Sequence, residues 1–208
     1  NTTLTAKKVG TAVITATVTD EDETTPRTLG SVTITVQSGV SAITPDTSSI
    51  EIDADNAKTA FLSVTLTGAA SGDVLAVQSS DESVVTAQAG AITLPGGSCT
   101  VTLTAVKTGT ATVTLSCGTA TAQVAVTVKA TKDHTVTFEK QKLTVKKGET
   151  AVNPATKGPA AGDKLTYASS NTAVAAVKED GTVTGVAAGT ATITATVKNA
   201  SDVIVGTA

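Results

Sequence analysis

YASSNTAVAAVKEDGTVTGVAAGTATITATV, Tyr167 to Val197, decides the fold, because parts of it occur three times in the chain. Gly189-Thr190-Ala191-Thr192-Ile193-Thr194 recurs as Gly109-Thr110-Ala111-Thr112-Val113-Thr114, and again as Gly10-Thr11-Ala12-Val13-Ile14-Thr15. The three glycines stand about 80–100 residues apart, the size of a small β-sandwich module. Ser169-Ser170-Asn171-Thr172-Ala173-Val174 likewise matches Ser79-Ser80-Asp81-Glu82-Ser83-Val84. Self-similarity at that period reads as a string of related domains.

The first ten residues, NTTLTAKKVG, lie without a gap on Asp180 to Gly189, so position 1 already falls in the second half of a module. The repeats divide the chain into the C-terminal part of one module (1–38), a complete second (39–130) and a third (131–208) whose last strand is short or missing. With no Met anywhere, the chain reads as a piece of a longer repeat protein.

Period-two alternation predicts the strands. Val101, Leu103 and Ala105 face one way and Thr102 and Thr104 the other; Ala111, Val113 and Leu115 then alternate with Thr110, Thr112 and Thr114. Ala191, Ile193 and Ala195 repeat the inward set in the third module, as do Ala12, Ile14 and Ala16 in the first. Val32–Val36 and Val124–Val128 read as closing strands. One face aliphatic and one face Thr is the pattern of antiparallel sheets with one side packed and one wet. The repeated glycine suits a turn position with positive φ. Asp180-Gly181 and Gly96-Gly97 mark further turns, Pro45 suits an edge or a strand start, and Pro154 and Pro159 bracket a loop.

Composition narrows the function. Aromatics are 1% of the chain and Trp is absent, so the cores are built from Val, Ile, Leu and Ala. Net charge is −3, which supplies no basic footprint for nucleic acid and no polybasic membrane patch. No apolar run approaches the roughly 20 residues that span a bilayer.

The segments SSN-x-x-V-A-x-V and DG-x-V-T-G-V-A-A-G-T-A-T-I-T-A resemble the bacterial immunoglobulin-like domain, group 2 (Big2-type). The resemblance covers Leu165–Val197 closely and Thr137–Gly148 as an opening strand and turn. It covers the second module at Ile43–Ile52, Ser79–Val85 and Gly109–Leu115, and the first from Asn1 to Val36. It departs where the family has Trp or another aromatic in the strand leading into Ser-Ser: here stand Tyr167 and, in the second module, Val77. The resemblance implies an all-β chain of tandem immunoglobulin-like Greek-key β-sandwiches. Such arrays occur on bacterial surface proteins, adhesins and phage virion proteins. It implies no catalytic residues and no cofactor.

Few side chains offer chemistry. Cys99 and Cys117 lie symmetrically about Thr108, in register with the inward sets. They read as two small buried apolar groups or as a candidate disulfide, whose loop of roughly 19 residues would add about 3 kcal/mol. If their strands belong to opposite sheets, a bridge forms only where the sheets approach closely. Asp20-Glu21-Asp22-Glu23 reads as a solvated loop tip or, more sharply, as calcium ligands without a known loop spacing, and Glu51, Asp53, Asp55 and Asn56 as a second weak calcium candidate. His134, the one histidine, reads as a surface residue near a junction. Asn1-Thr2-Thr3 and Asn199-Ala200-Ser201 fit the glycosylation pattern, unused in a bacterial or phage product. Exposed Thr rows read as a glycan- or surface-binding face or, more simply, as the solvent side of sheets.

The function expected is structural rather than enzymatic: modules of an extracellular bacterial surface or virion protein acting as spacer, decoration or adhesion segment. The partners expected are neighbouring modules of the same longer chain, a larger assembly such as a virion, filament or cell surface, and a surface glycan. Two alternatives stand beside this. A ligand-binding adhesin module would recognise a host glycan or protein through loops 19–30 or 153–163. An accessory domain of an extracellular enzyme would have its catalytic domain elsewhere.

Overall fold

The computed structural model describes residues 3–19, 25–158 and 160–208. Among these there is no helix, and so none long and apolar enough to cross a membrane. Asp20–Glu23, Asn1, Thr2 and Pro159 lie outside the described residues.

The first strands, β1 (Gly10–Val18) and β2 (Arg27–Val36), form a two-stranded antiparallel sheet. Ala12, Ile14 and Ala16 were expected to pack inward, yet all three are exposed. Alternation gives the sides of a strand, but burial needs a second sheet opposite, and this hairpin has none among the described residues. Val13, on its other face, is 63% exposed.

The middle of the chain is a two-layer sandwich. One sheet runs β3 (Ala42–Pro45), β5 (Thr59–Thr67), β8 (Ser98–Ala105), β7 (Val85–Ala89); the other runs β4 (Ser49–Asp53), β10 (Ala120–Lys129), β9 (Gly109–Cys117), β6 (Ala76–Ser79). β4 lies parallel to β10, and the other pairings are antiparallel. Four strands face four, with the consecutive β3 and β4 in opposite sheets, as in an immunoglobulin-type sandwich whose first strand switches sheets. Leu62, Val64, Val101 and Leu103 of one sheet and Val113, Leu115, Val124 and Val126 of the other form the core. Each such side chain contributes about 1.5–3 kcal/mol on burial, so aliphatics suffice without a ring at Val77. Pro45 ends β3 at a sheet edge, where its missing N–H breaks no ladder.

The C-terminal sandwich repeats the plan in shorter pieces: β11 (Val136–Phe138), β12 (Thr150–Val152), β13 (Ala155–Lys157), β14 (Lys164–Ser169), β15 (Ala175–Val177), β16 (Thr182–Gly185), β17 (Ile193–Lys198) and β18 (Ile204–Thr207). The loop expected around Pro154 is interrupted. Asn153 and Pro154 separate β12 from β13, which pair with β16 and β11 respectively. The last strand is present but short: β18 has four residues where β10 has ten. Tyr167 takes the aromatic position. Its ring lies 6.2 Å from that of Phe138, and its hydroxyl accepts the Ala155 N–H at 2.9 Å.

Candidate functional site: the joint between two sandwiches

The repeated motif closes on itself in both sandwiches. Ser80 and Ser170 each accept a backbone N–H on the hydroxyl, from Thr112 and Thr192, both at 2.9 Å. Their own N–H groups donate to the carbonyls of the same threonines. Val84 and Val174 lie against Gly109 and Gly189, whose φ angles are +152° and +150°. The glycines therefore serve a turn that needs positive φ, as the sequence predicts.

What the repeat does not contain is the joint. His134, expected at the surface, is 5% exposed. It lies just before β11, and its ring is held on both sides. Nε2 lies 2.7 Å from Asp55 Oδ1, in the turn after β4, and Nδ1 lies 2.8 Å from Asp163 Oδ2, just before β14. One sandwich thus supplies Asp55 and the other Asp163. The burial of His134 has a physical cause, for a buried imidazole is sustained when each nitrogen has a partner. Burial opposes its charge, but the bonds to Asp163 and Asp55 outweigh that and raise the His134 pKa above the ordinary value.

Asp55 is fixed from a second direction. Its Oδ2 accepts the N–H groups of Thr131 at 2.7 Å and Lys132 at 2.9 Å. Burial raises its pKa, but these two bonds and His134 more than reverse that, to about 2. The weak calcium candidate is thereby spent on protein partners. Asp53 accepts from Asn56 and from the Asp55 N–H, and Glu51 pairs with Lys129. Among the described residues no cluster of His, Cys, Asp and Glu is arranged to hold a metal ion.

A second attachment comes from the β17–β18 hairpin. Asn199 is buried and donates from Nδ2 to the Ala54 carbonyl at 2.6 Å, while its Oδ1 accepts from Ser201 and Val203. The Asn199 glycosylation pattern is therefore occupied by packing, and that of Asn1 lies outside the described residues. Val203 is fully buried in the core of the middle sandwich. Ile204 donates its N–H to Val106 O at 2.8 Å and accepts from Thr108 N at 2.9 Å. The turn before Gly109 thus doubles as a docking point. Asn199, Val203 and Asp163 escape a sequence reading. Only Asp163 leaves a trace, as the repeated Gly-Asp of Gly72-Asp73 and Gly162-Asp163.

Cys99 and Cys117, the candidate disulfide, are both free and buried. Their strands lie in opposite sheets, so a bridge between them would have to cross the core. Cys99 Sγ donates instead to Gly90 O at 3.2 Å. Cys117 Sγ lies 3.7 Å from Ser38 Oγ.

The described side chains offer packing, caps and one ionic clamp, a chemistry of attachment. Comparison with known proteins places part of the chain. Domains 4 and 5 of the S-layer protein SbsC match with 21% identity and a TM-score of 0.37, covering 58% of this chain. The chain spans 65% of that structure, less than two thirds of its length. The Yersinia pseudotuberculosis adhesin InvE matches with 18% identity and a TM-score of 0.35, over 78% of this chain and 56% of its own. The Escherichia coli adhesin FdeC matches with 20% identity and a TM-score of 0.34, over 87% and 69%. No curated protein matches the chain. The model of the bacterial Ig-like domain (group 2) matches residues 133–208. Residues 133–208 are therefore similar to a bacterial Ig-like domain of group 2.

Proposed function

We propose that this chain is a non-catalytic structural segment of an extracellular bacterial surface protein, in which immunoglobulin-like sandwiches are set in series as a spacer or adhesion stalk. One observation carries the reading. The two sandwiches are joined by buried, mutually bonded side chains, Asp55 with His134 and Asn199 with the Ala54 carbonyl. A chain whose purpose is to hold a shape along its length needs fixed joints. A linker with no contacts would leave neighbouring domains free to reorient.

The test is immunogold electron microscopy of intact source cells or particles, using antibody raised to the chain. The reading expects gold at a defined distance outside the envelope. Gold only after permeabilisation overturns it, and gold on a capsid or tail replaces the cell surface by a virion. Specific binding to a glycan or host protein, abolished by changes within 153–163, replaces the spacer by a ligand-binding adhesin.

A further inference from the structure

Asp55, His134 and Asp163 make a buried line of carboxylate, imidazole and carboxylate across the joint, with side chains 2%, 3% and 0% exposed. We propose that this line is a pH-operated lock on the angle between the two sandwiches, closed while His134 carries a proton on both nitrogens and loosened when it loses one. An ionised carboxylate only accepts hydrogen bonds. Two carboxylates within 2.8 Å of the two ring nitrogens therefore call for a donor on each, which is the imidazolium.

Loss of one proton leaves a nitrogen lone pair facing a carboxylate oxygen in a buried site, a repulsive contact. The partners decide which contact fails. Asp163 Oδ2 has His134 as its hydrogen-bond donor, and Asp163 Oδ1 is buried with none. Asp55 keeps the Thr131 and Lys132 N–H groups on Oδ2 whatever His134 does. The remaining proton stays on Nδ1 for Asp163, and the bond to Asp55 is released. That released bond is the one that crosses the joint.

The charged groups acting on His134 are acidic: Asp55 from the middle sandwich, Asp163 from the loop before β14, and Asp133 beside it in sequence. Lys129 and Lys132, close before His134 in sequence, and Lys164, next to Asp163, are exposed. The Asn199 and Ile204 contacts do not titrate, so release leaves the sandwiches hinged at one attachment rather than separated.

The experiment is NMR of the whole chain from about pH 5.5 upward, past the ordinary histidine value and on until the ring has lost its proton. The ring nitrogen shifts of the single histidine report its protonation, and residual dipolar couplings report the relative orientation of the sandwiches. A single alignment tensor should fit both sandwiches while the ring is charged, and two should be needed once it is neutral, with the same midpoint. His134→Gln, which has one donor and one acceptor end, should need two tensors at every pH. One tensor throughout the titration of the wild-type ring overturns the lock, whether or not the variant folds. So does a tensor change with pH that persists in His134→Gln.

Discussion

Val174 closes directly on Gly189: a Cβ added to the glycine would stand 2.9 Å from Val174 Cγ2. The corresponding approach of Val84 to Gly109 is 3.0 Å. The two ends of the repeated motif thus meet in space, the valine of the Ser-Ser segment covering the glycine of the next turn. Gly109→Ala and Gly189→Ala should each destabilise their sandwich through positive-φ strain plus this contact, by about 1–3 kcal/mol. Gly10 has φ +143° but meets nothing within 4 Å among the described residues. Gly10→Ala should therefore cost less. Urea unfolding of the three variants checks the order; equal losses at all three would mean that the valine contact contributes nothing.

Ser80 and Ser170 should be interchangeable in energetic terms. Each hydroxyl accepts one backbone N–H at 2.9 Å, and each residue's own N–H donates back to the same threonine. Ser80→Ala and Ser170→Ala remove one such bond apiece, with a net cost of about 0.5–1.5 kcal/mol. Denaturant midpoints for the two transitions should fall by similar amounts. A large effect at one serine alone would show that the motif has different work in the two sandwiches.

Sequence reading succeeded where the physics is local or repeated. Val101, Leu103 and Ala105 were expected inward from alternation alone, and all three are fully buried. The same pattern placed Ala12, Ile14 and Ala16 on a packed face that the hairpin does not have, because period two carries no information on what lies opposite. The joint was illegible for a different reason. His134 meets Asp55 across 79 residues, and Asn199 meets Ala54 across 145. Neither contact follows from a strand period or a turn signal. A lone histidine among acidic residues looks like surface until the fold brings the carboxylates to both of its nitrogens.

Acid should act on the joint through Asp55. Burial alone would raise its pKa, but the N–H groups of Lys132 and Thr131 and the His134 ring hold it down at about 2. A carboxylate depressed in the folded state stabilises that state above its unfolded pKa, and the contribution fades as pH falls through the folded value. Thermal scans at successive pH values down to about 2 should show wild-type stability declining over that interval. Asp55→Asn should start lower at neutral pH and decline less steeply. Parallel curves for the two proteins would place the acid sensitivity elsewhere.

The thiols give the sharpest covalent prediction. Cys99 is buried, and burial raises its thiol pKa above the ordinary value, although the bond to Gly90 O acts in the opposite direction. The thiolate is the reactive form, so Cys99 is doubly protected, by access and by protonation. Cys117 is buried in the opposite sheet. A thiol-directed alkylating reagent should label the native protein slowly and add two groups after denaturation without reductant. If denaturation exposes no reactive thiol until a reductant is added, the two cysteines are bridged across the core. Alkylation of one cysteine in the native state would instead identify the sheet edge that opens first.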